Sequence, residues 1–351
     1  MKIHFLQCVE AVLKSVILHI GLHKTGTTAI QHAFSGYDDG TTIYGRFGDP
    51  NHGNAVIAAL TKRKTGDPRY AGDRTEIARK LNRFKIWVRM QSHLYRPDRE
   101  RLILSGESMC MFAPDEKRDL VDYFRNKGLH VQVVCYVREP LGLSASRFQE
   151  LVKQGRGEVT PDALSFRKFI SPFAEVLPQE DLIVRDFGAE VAEHGDIVGS
   201  FANVFGLQRP NFSQNINVSL SAVSVKLLFR CNQMRTRALH LHVRALDKIK
   251  RELRQVFPSG EFPSLDKHAM AQRLDASLDE NLEYLRAEFG IDYPSVDRVY
   301  DLSAVNAYLS DFEHNPLPAL RAIAQKWGVE VSKDDGWESL LERLYQTALR
   351  R

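Results

Sequence analysis

Cysteine is scarce in this chain: Cys8, Cys110, Cys135 and Cys231 are the only four in 351 residues, and they stand far apart. That excludes a disulfide scaffold and the paired ligand spacing of a zinc finger, and it suits reduced thiols in a cytoplasm. Cys135 falls inside an apolar strand pattern and is expected in the core. Long apolar runs are missing as well. The longest, such as Val131–Val137, fall far short of the roughly 20 residues a membrane helix needs, so no transmembrane segment is expected. Met1–Ser15 mixes Lys2, Glu10 and Lys14 with apolar residues and has no clean hydrophobic stretch before a small-residue cleavage site. No signal peptide is expected. There is no internal repeat, no low-complexity tract and no aromatic interleaving of the kind a single-stranded nucleic-acid platform uses, so a nucleic-acid partner is not expected.

The chain is 43% hydrophobic with a net charge of only +4, a composition that suits a globular protein with a sizeable core. Its charge is unevenly spread. Lys62 to Arg101 carries thirteen Lys/Arg against five Asp/Glu, and Lys226 to Arg254 nine against two. Such segments are either solvated helix faces or meeting places for an anionic donor or acceptor. Short β-rich runs at Ser15–Ile20, Thr41–Arg46, Arg101–Ser105, His130–Val137 and Asp181–Arg185 alternate with helical patterns. Val16–Ile20 and Val131–Val137 are almost continuously apolar, as strands covered on both faces are. Pro114-Asp115-Glu116 opens one helix, which Lys127-Gly128 ends; Phe173–Leu177 before Pro178 closes another. The alternation implies βαβ units and an α/β fold with a central parallel sheet flanked by helices. From about residue 219 the pattern is mainly helical. Residues 1–14 read as an N-terminal extension and 15–351 as one domain, its C-terminal part helical cover.

The most informative stretch runs from Val16 to Gln31. An apolar strand enters a Gly/Thr/Lys turn and a helix follows directly, so the unpaired N–H groups of a helix N-terminus face whatever occupies the turn. Gly26 permits close backbone approach, Thr27 and Thr28 add hydroxyls, and Lys24 brings a mobile charge. Gly21 and Gly26 have the spacing of a nucleotide-triphosphatase loop, yet Thr27 stands where that loop has lysine. A dinucleotide G-x-G-x-x-G is absent.

Gly21-Leu22-His23-Lys24-Thr25-Gly26-Thr27-Thr28 resembles the 5′-phosphosulfate loop of sulfotransferases that use 3′-phosphoadenosine 5′-phosphosulfate (PAPS), in particular bacterial ones related to carbohydrate sulfotransferases. The resemblance implies a fold similar to P-loop nucleotide kinases, with PAPS as donor and 3′,5′-ADP (PAP) as product. It implies donor contacts at His23, Lys24, Thr25, Gly26, Thr27 and Thr28, the lysine near the bridging oxygen, and no metal. In the family an arginine ending a strand and a serine eight residues later hold the 3′-phosphate. Here these are Arg138, after His130–Val137, and Ser146, beyond Pro140. A forked guanidinium and a helix hydroxyl suit that task. Ser144 competes for the serine's role, and an ion pair from Arg138 to Glu139 or Glu150 is the alternative. Softer likenesses are Asp181–Phe187, a strand ending in Arg and an aromatic, and Asn217-Val218-Ser219. The likeness spans roughly residues 15–235.

Sulfuryl transfer resembles phosphoryl transfer, an in-line displacement catalysed by positioning and electrostatics. It needs a cation at the leaving phosphate, which falls to Lys24, and a base for the acceptor's proton. Arg101–Ser105 runs into Gly106 and Glu107 at a strand's C-terminal edge, where such folds keep their catalytic groups, and carbohydrate sulfotransferases often place a glutamate base there. Glu107 is the candidate base. His52, in Asn51-His52-Gly53-Asn54, resembles an Asn-His element of bacterial members and is a candidate to contact substrate or assist the base. The expected acceptor is a hydroxyl or amine of a saccharide or glycolipid. A P-loop kinase and a non-catalytic PAPS-fold binding protein are the alternatives.

Overall fold

The computed structural model describes residues 13–22, 24–53, 55–56, 76–212, 219–235, 237–296 and 299–350. They fall into two compact units. The first draws on Met1–Arg138, Ser165–Ile216 and Tyr284–Ile291, the second on Glu139–Leu164, Asn217–Glu283 and Asp292–Arg351.

The first unit is built on a five-stranded sheet of order β2-β3-β1-β4-β5: β1 Ser15–Ile20, β2 Thr42–Tyr44, β3 Arg101–Gly106, β4 His130–Val137 and β5 Leu182–Asp186. Every pairing is parallel. In a parallel sheet all C-terminal strand ends share one edge. The register sets Ile20 beside Gly106 and Val137 beside Asp186, so the residues that follow these strands line that edge together. β1 and β4 have the bounds their apolar runs suggested. β2 is shorter than Thr41–Arg46, since the Gly45 N–H bonds to the Ile103 carbonyl and the chain then leaves the sheet.

Helices cover both faces, which is why β1 and β4 are apolar on successive residues. On one side α1 (Thr27–Phe34) and a later helix, Ile197–Val204, bury Ile30, Phe34, Phe201 and Ala202 against Ile17, Ile103, Val134 and Tyr136. Along the chain α2 is Glu76–Leu94, α3 Pro114–Arg125, α4 Pro140–Lys153, α5 Phe166–Ala174, α6 Phe187–His194 and α7 that Ile197–Val204 helix. α3 begins at Pro114 with Asp115 and Glu116 in its first turn, and Gly128 (φ 77°) ends the connection to β4.

The second unit is helical. It takes α4 together with α8 (Ala222–Gln233), α9 (Leu239–Val256), α10 (Lys267–Ala271), α12 (Leu302–Ser310), α13 (Leu317–Trp327) and α14 (Trp337–Arg350); α11 is Ser277–Phe289. The helical region thus extends back beyond residue 219, because Phe148 and Val152 of α4 share a core with Leu227, Leu228, Leu246, Ile249 and Leu344.

A buried polar knot ties this core. His242 meets the Tyr345 hydroxyl through Nδ1 (2.7 Å) and the Asn232 carbonyl oxygen through Nε2 (2.9 Å). Asn232 Nδ2 donates to the Val152 and Arg156 carbonyls, both at 2.8 Å. Since the Asn232 oxygen can only accept, Nε2 carries the ring proton and Nδ1 accepts from tyrosine. Asn232→Leu strands three buried partners at once and is expected to cost about 3 kcal/mol or more. A lowered urea midpoint reports it; an unchanged midpoint would mean the knot adds nothing.

Candidate functional site

The order of the sheet sets where a ligand can sit. β1 leads through α1 to β2, on one side of it, whereas β4 leads on to β5, on the other. Adjacent strands whose chains part in opposite directions open a crevice at their C-terminal ends, the usual ligand position in such sheets. The chain leaving β1 there is Gly21–Gly26, and the residue leaving β4 is Arg138.

Local packing fixes the first loop. The buried Thr25 hydroxyl donates to the Leu22 carbonyl (2.7 Å), which the Thr27 hydroxyl also approaches (3.4 Å). A Cβ on Gly21 would lie 2.3 Å from Thr27 Cγ2, so only glycine lets the strand end pass that side chain. Lys24 takes the left-handed region (φ 64°), a conformation a non-glycine residue adopts only when its surroundings impose it. Gly26 follows, also left-handed (φ 76°), as N-cap of α1. It offers no capping side chain, and the first turn of α1 holds no acid. The helix's opening N–H groups therefore face the loop with their partial positive charge uncompensated.

Arg138 reaches the same loop. Its Nη1 donates to the Lys24 carbonyl at 3.1 Å, and its guanidinium lies 5.4 Å from the ring centre of Phe187. Phe187 opens α6 after β5 and, with Ile197, walls in Gly26: a Cβ there would sit 2.7 Å from Ile197 Cγ2 and 3.1 Å from Phe187 Cε2. Sequence reasoning left Phe187 and Ile197 out of the site. The Arg-Asp-Phe ending of β5 was the available signal for Phe187; for Ile197 there was none.

Glu107 follows Gly106, which pairs with Ile20 of β1, so it stands one strand from the Gly21 loop. It is half-buried and begins a 3-10 turn, Glu107–Met111. The chain of Gly53 is pressed against it. A Cβ on Gly106 would lie 2.6 Å from Gly53 N, and one on Gly53 would lie 2.0 Å from the Ser108 hydroxyl. His52 is fully buried behind this contact. Its main-chain N–H donates to the Ser105 carbonyl (2.7 Å), and its Nδ1 accepts the Ser105 N–H (3.1 Å). Nε2 then carries the ring proton, on the side of the ring that faces the Gly45 backbone. The Ser105 hydroxyl meets His19 Nδ1 at 2.8 Å. Burial pushes His19 down to about 3 and His52 to about 4, so both rings are neutral at physiological pH.

Thr28 is half-buried at the start of α1, and Ser146 is half-buried on α4, in the helical unit. The Ser144 hydroxyl is committed to the Met270 carbonyl (3.3 Å) within that unit. Glu139 caps α4, accepting from the N–H groups of Leu141 and Gly142, and Glu150 pairs with Lys153. His23, Asn54, Asn217 and Val218 lie outside the described residues. Chemically the edge combines a helix N-terminus, a permanent guanidinium charge and a lysine on one side, and a carboxylate on the other: a site for an anion next to a proton acceptor. A chain bent through left-handed Lys24 and Gly26 into a helix N-terminus fits an anion held by main-chain N–H groups. No protein-family model matches the chain, and no curated protein matches it.

Two predictions follow from this packing. Gly26→Ala meets both a left-handed backbone and Ile197, whereas Gly36→Ala meets only the backbone, with nothing within 4 Å of its Cβ. Gly36→Ala is expected to cost about 1 kcal/mol and Gly26→Ala about 2 kcal/mol more, by thermal or urea unfolding; equal losses would refute the clash. The buried histidines set the second. Their folded values lie below the unfolded 6.5, so the unfolded chain binds more protons under acid. Stability is full above about pH 6.5 and drains as pH falls towards 4, by about 2 kcal/mol at pH 5 for each of His19 and His52. His19→Phe should flatten that decline, and an unchanged slope would contradict it.

Proposed function

We propose that this protein is a PAPS-dependent sulfotransferase of P-loop-like fold. It moves a sulfuryl group to a hydroxyl or amine of a saccharide or glycolipid acceptor. The carrying observation is the Arg138 guanidinium bonded to the Lys24 carbonyl, which joins two anion-binding elements at one strand edge. One element suits a 5′-phosphate and the other a 3′-phosphate, and a donor with phosphates at both ends of its ribose would use both. The 2-3-1-4-5 strand order and the neighbouring β1 and β4 ends support the same reading.

In the transfer, the acceptor oxygen or nitrogen bonds to sulfur as the sulfur–oxygen bond to the 5′-phosphate breaks. Negative charge gathers on the leaving phosphate, where Lys24 and the opening N–H groups of α1 offset it. The acceptor's proton passes to Glu107, one strand away. His52, buried and neutral, does not take that proton: through Ser105 and Gly53 it is a positioning residue for the turn that carries Glu107. Cys110, Cys135 and Cys231 are buried free thiols, in keeping with a reducing cytoplasm.

The test is ligand-dependent stabilisation. The melting temperature should rise markedly with 3′,5′-ADP and little with 5′-AMP or ATP, with or without magnesium. Equal shifts would remove the donor assignment, and an ATP response that requires magnesium would favour a kinase. Arg138→Lys keeps charge but loses the fork, and should weaken 3′,5′-ADP binding about tenfold or more while sparing 5′-AMP. Glu107→Gln should leave 3′,5′-ADP binding intact and slow transfer of labelled sulfate about a hundredfold or more; undiminished transfer would remove Glu107 as base.

A further inference from the structure

The apolar stripe of α2 is covered over its C-terminal half and exposed before it. Met90 and Leu94 are fully buried, and His93 accepts the Arg46 N–H through Nε2 (3.0 Å), so that half belongs to the first unit's core. Phe84, Trp87 and Val88 are 62%, 39% and 43% exposed. Spaced i, i+3, i+4, they form one stripe. The Phe84 and Trp87 rings stack on each other at 6.2 Å with 22° between their planes.

The same helix carries Arg79, Lys80, Arg83, Lys85 and Arg89 against a single acid, Glu76. The sequence from Lys62 to Arg101 keeps that sign, thirteen to five. Beyond the helix Asp98 pairs with Arg96 and Arg99, but the charge on the helix itself is almost all of one sign. A protein partner rewards particular pairs placed at particular positions. A nucleic acid asks for ring faces open to bases, and these two rings face each other. An anionic bilayer rewards every Lys or Arg held near it, and it accepts an aromatic and aliphatic stripe at headgroup depth. Among the described residues no helix is long and apolar enough to cross a membrane, so any lipid contact through α2 is peripheral.

We propose that the Phe84–Trp87–Val88 face of α2 docks the protein reversibly on an anionic lipid bilayer. The rings enter the interface, and the exposed Lys85 and the helix's excess of positive charge favour an anionic one. α2 also touches the loop beside the candidate site: Arg89 Nη1 donates to the Phe47 carbonyl (3.0 Å), and the Phe47 ring packs against both His52 and His93. Docking would thus set the Glu107 side of the sheet edge near the bilayer. That the acceptor is lipid-borne rests on the sulfotransferase reading; the membrane contact does not.

The experiment is sedimentation of the full chain with phosphatidylcholine vesicles, alone or mixed with phosphatidylglycerol, without any donor nucleotide. Binding is expected only to the anionic vesicles, falling steeply with salt, and bromolipids in them should quench part of the tryptophan emission. A Phe84→Ser/Trp87→Ser/Val88→Ser variant with unchanged melting temperature should lose the binding. Lys85→Glu, which leaves the rings in place, should weaken it severalfold. Three results would each overturn the proposal: no binding to anionic vesicles, equal binding to neutral ones, or undiminished binding by both variants. So would a concentration-dependent dimer abolished by the triple change, since the stripe would then serve a second copy. Because no donor is present, failure here leaves the 3′,5′-ADP response untouched, and the reverse holds.

Discussion

The bond from the Arg138 guanidinium to the Lys24 carbonyl is the constraint on which the site depends. It links the chain leaving β4 to the chain leaving β1, two strands that are neighbours in the sheet. A carbonyl presented to that arginine requires Lys24 in the left-handed region, and the turn is held there from both sides. Thr25 and Thr27 grip the Leu22 carbonyl from within, and Ile197 and Phe187 close over Gly26 from without. The ring of Phe187 also carries the guanidinium. An arginine so placed is pre-organised, with little side-chain freedom left to lose.

The other half of the edge rests on close backbone approach. Gly53 and Gly106 touch where any side chain would collide, and behind them His52, Ser105 and His19 form a buried, uncharged relay of hydrogen bonds. Neutral imidazoles cost far less to bury than charged ones. Burial holds both imidazoles below their ordinary pKa, so protonating either ring under acid would disfavour this packing.

Much of this was legible beforehand for identifiable reasons. β1 and β4 are covered on both faces, which makes their sequences continuously apolar and their ends sharp. The glycine-threonine turn was legible because its geometry is local: a strand end, two glycines and a helix start fall in one short run. Arg138 was singled out by the resemblance, which places an arginine directly after a strong strand. What escaped depends on distant contacts. Nothing in Asp196-Ile197 announces a lid over Gly26, and the burial of His52 was hidden because it depends on Ser105, remote in sequence, as well as on the nearby Tyr44 and Phe47 rings. The membership of α4 in the helical unit was hidden for the same reason, since its partners lie in segments after residue 219.

A crystal structure with bound 3′,5′-ADP would decide whether the two elements serve one ligand. The 5′-phosphate is expected among the N–H groups of Thr25–Thr28 and the 3′-phosphate within hydrogen-bond reach of Arg138. A nucleotide bound elsewhere, or with its 3′-phosphate turned away from that guanidinium, would contradict it.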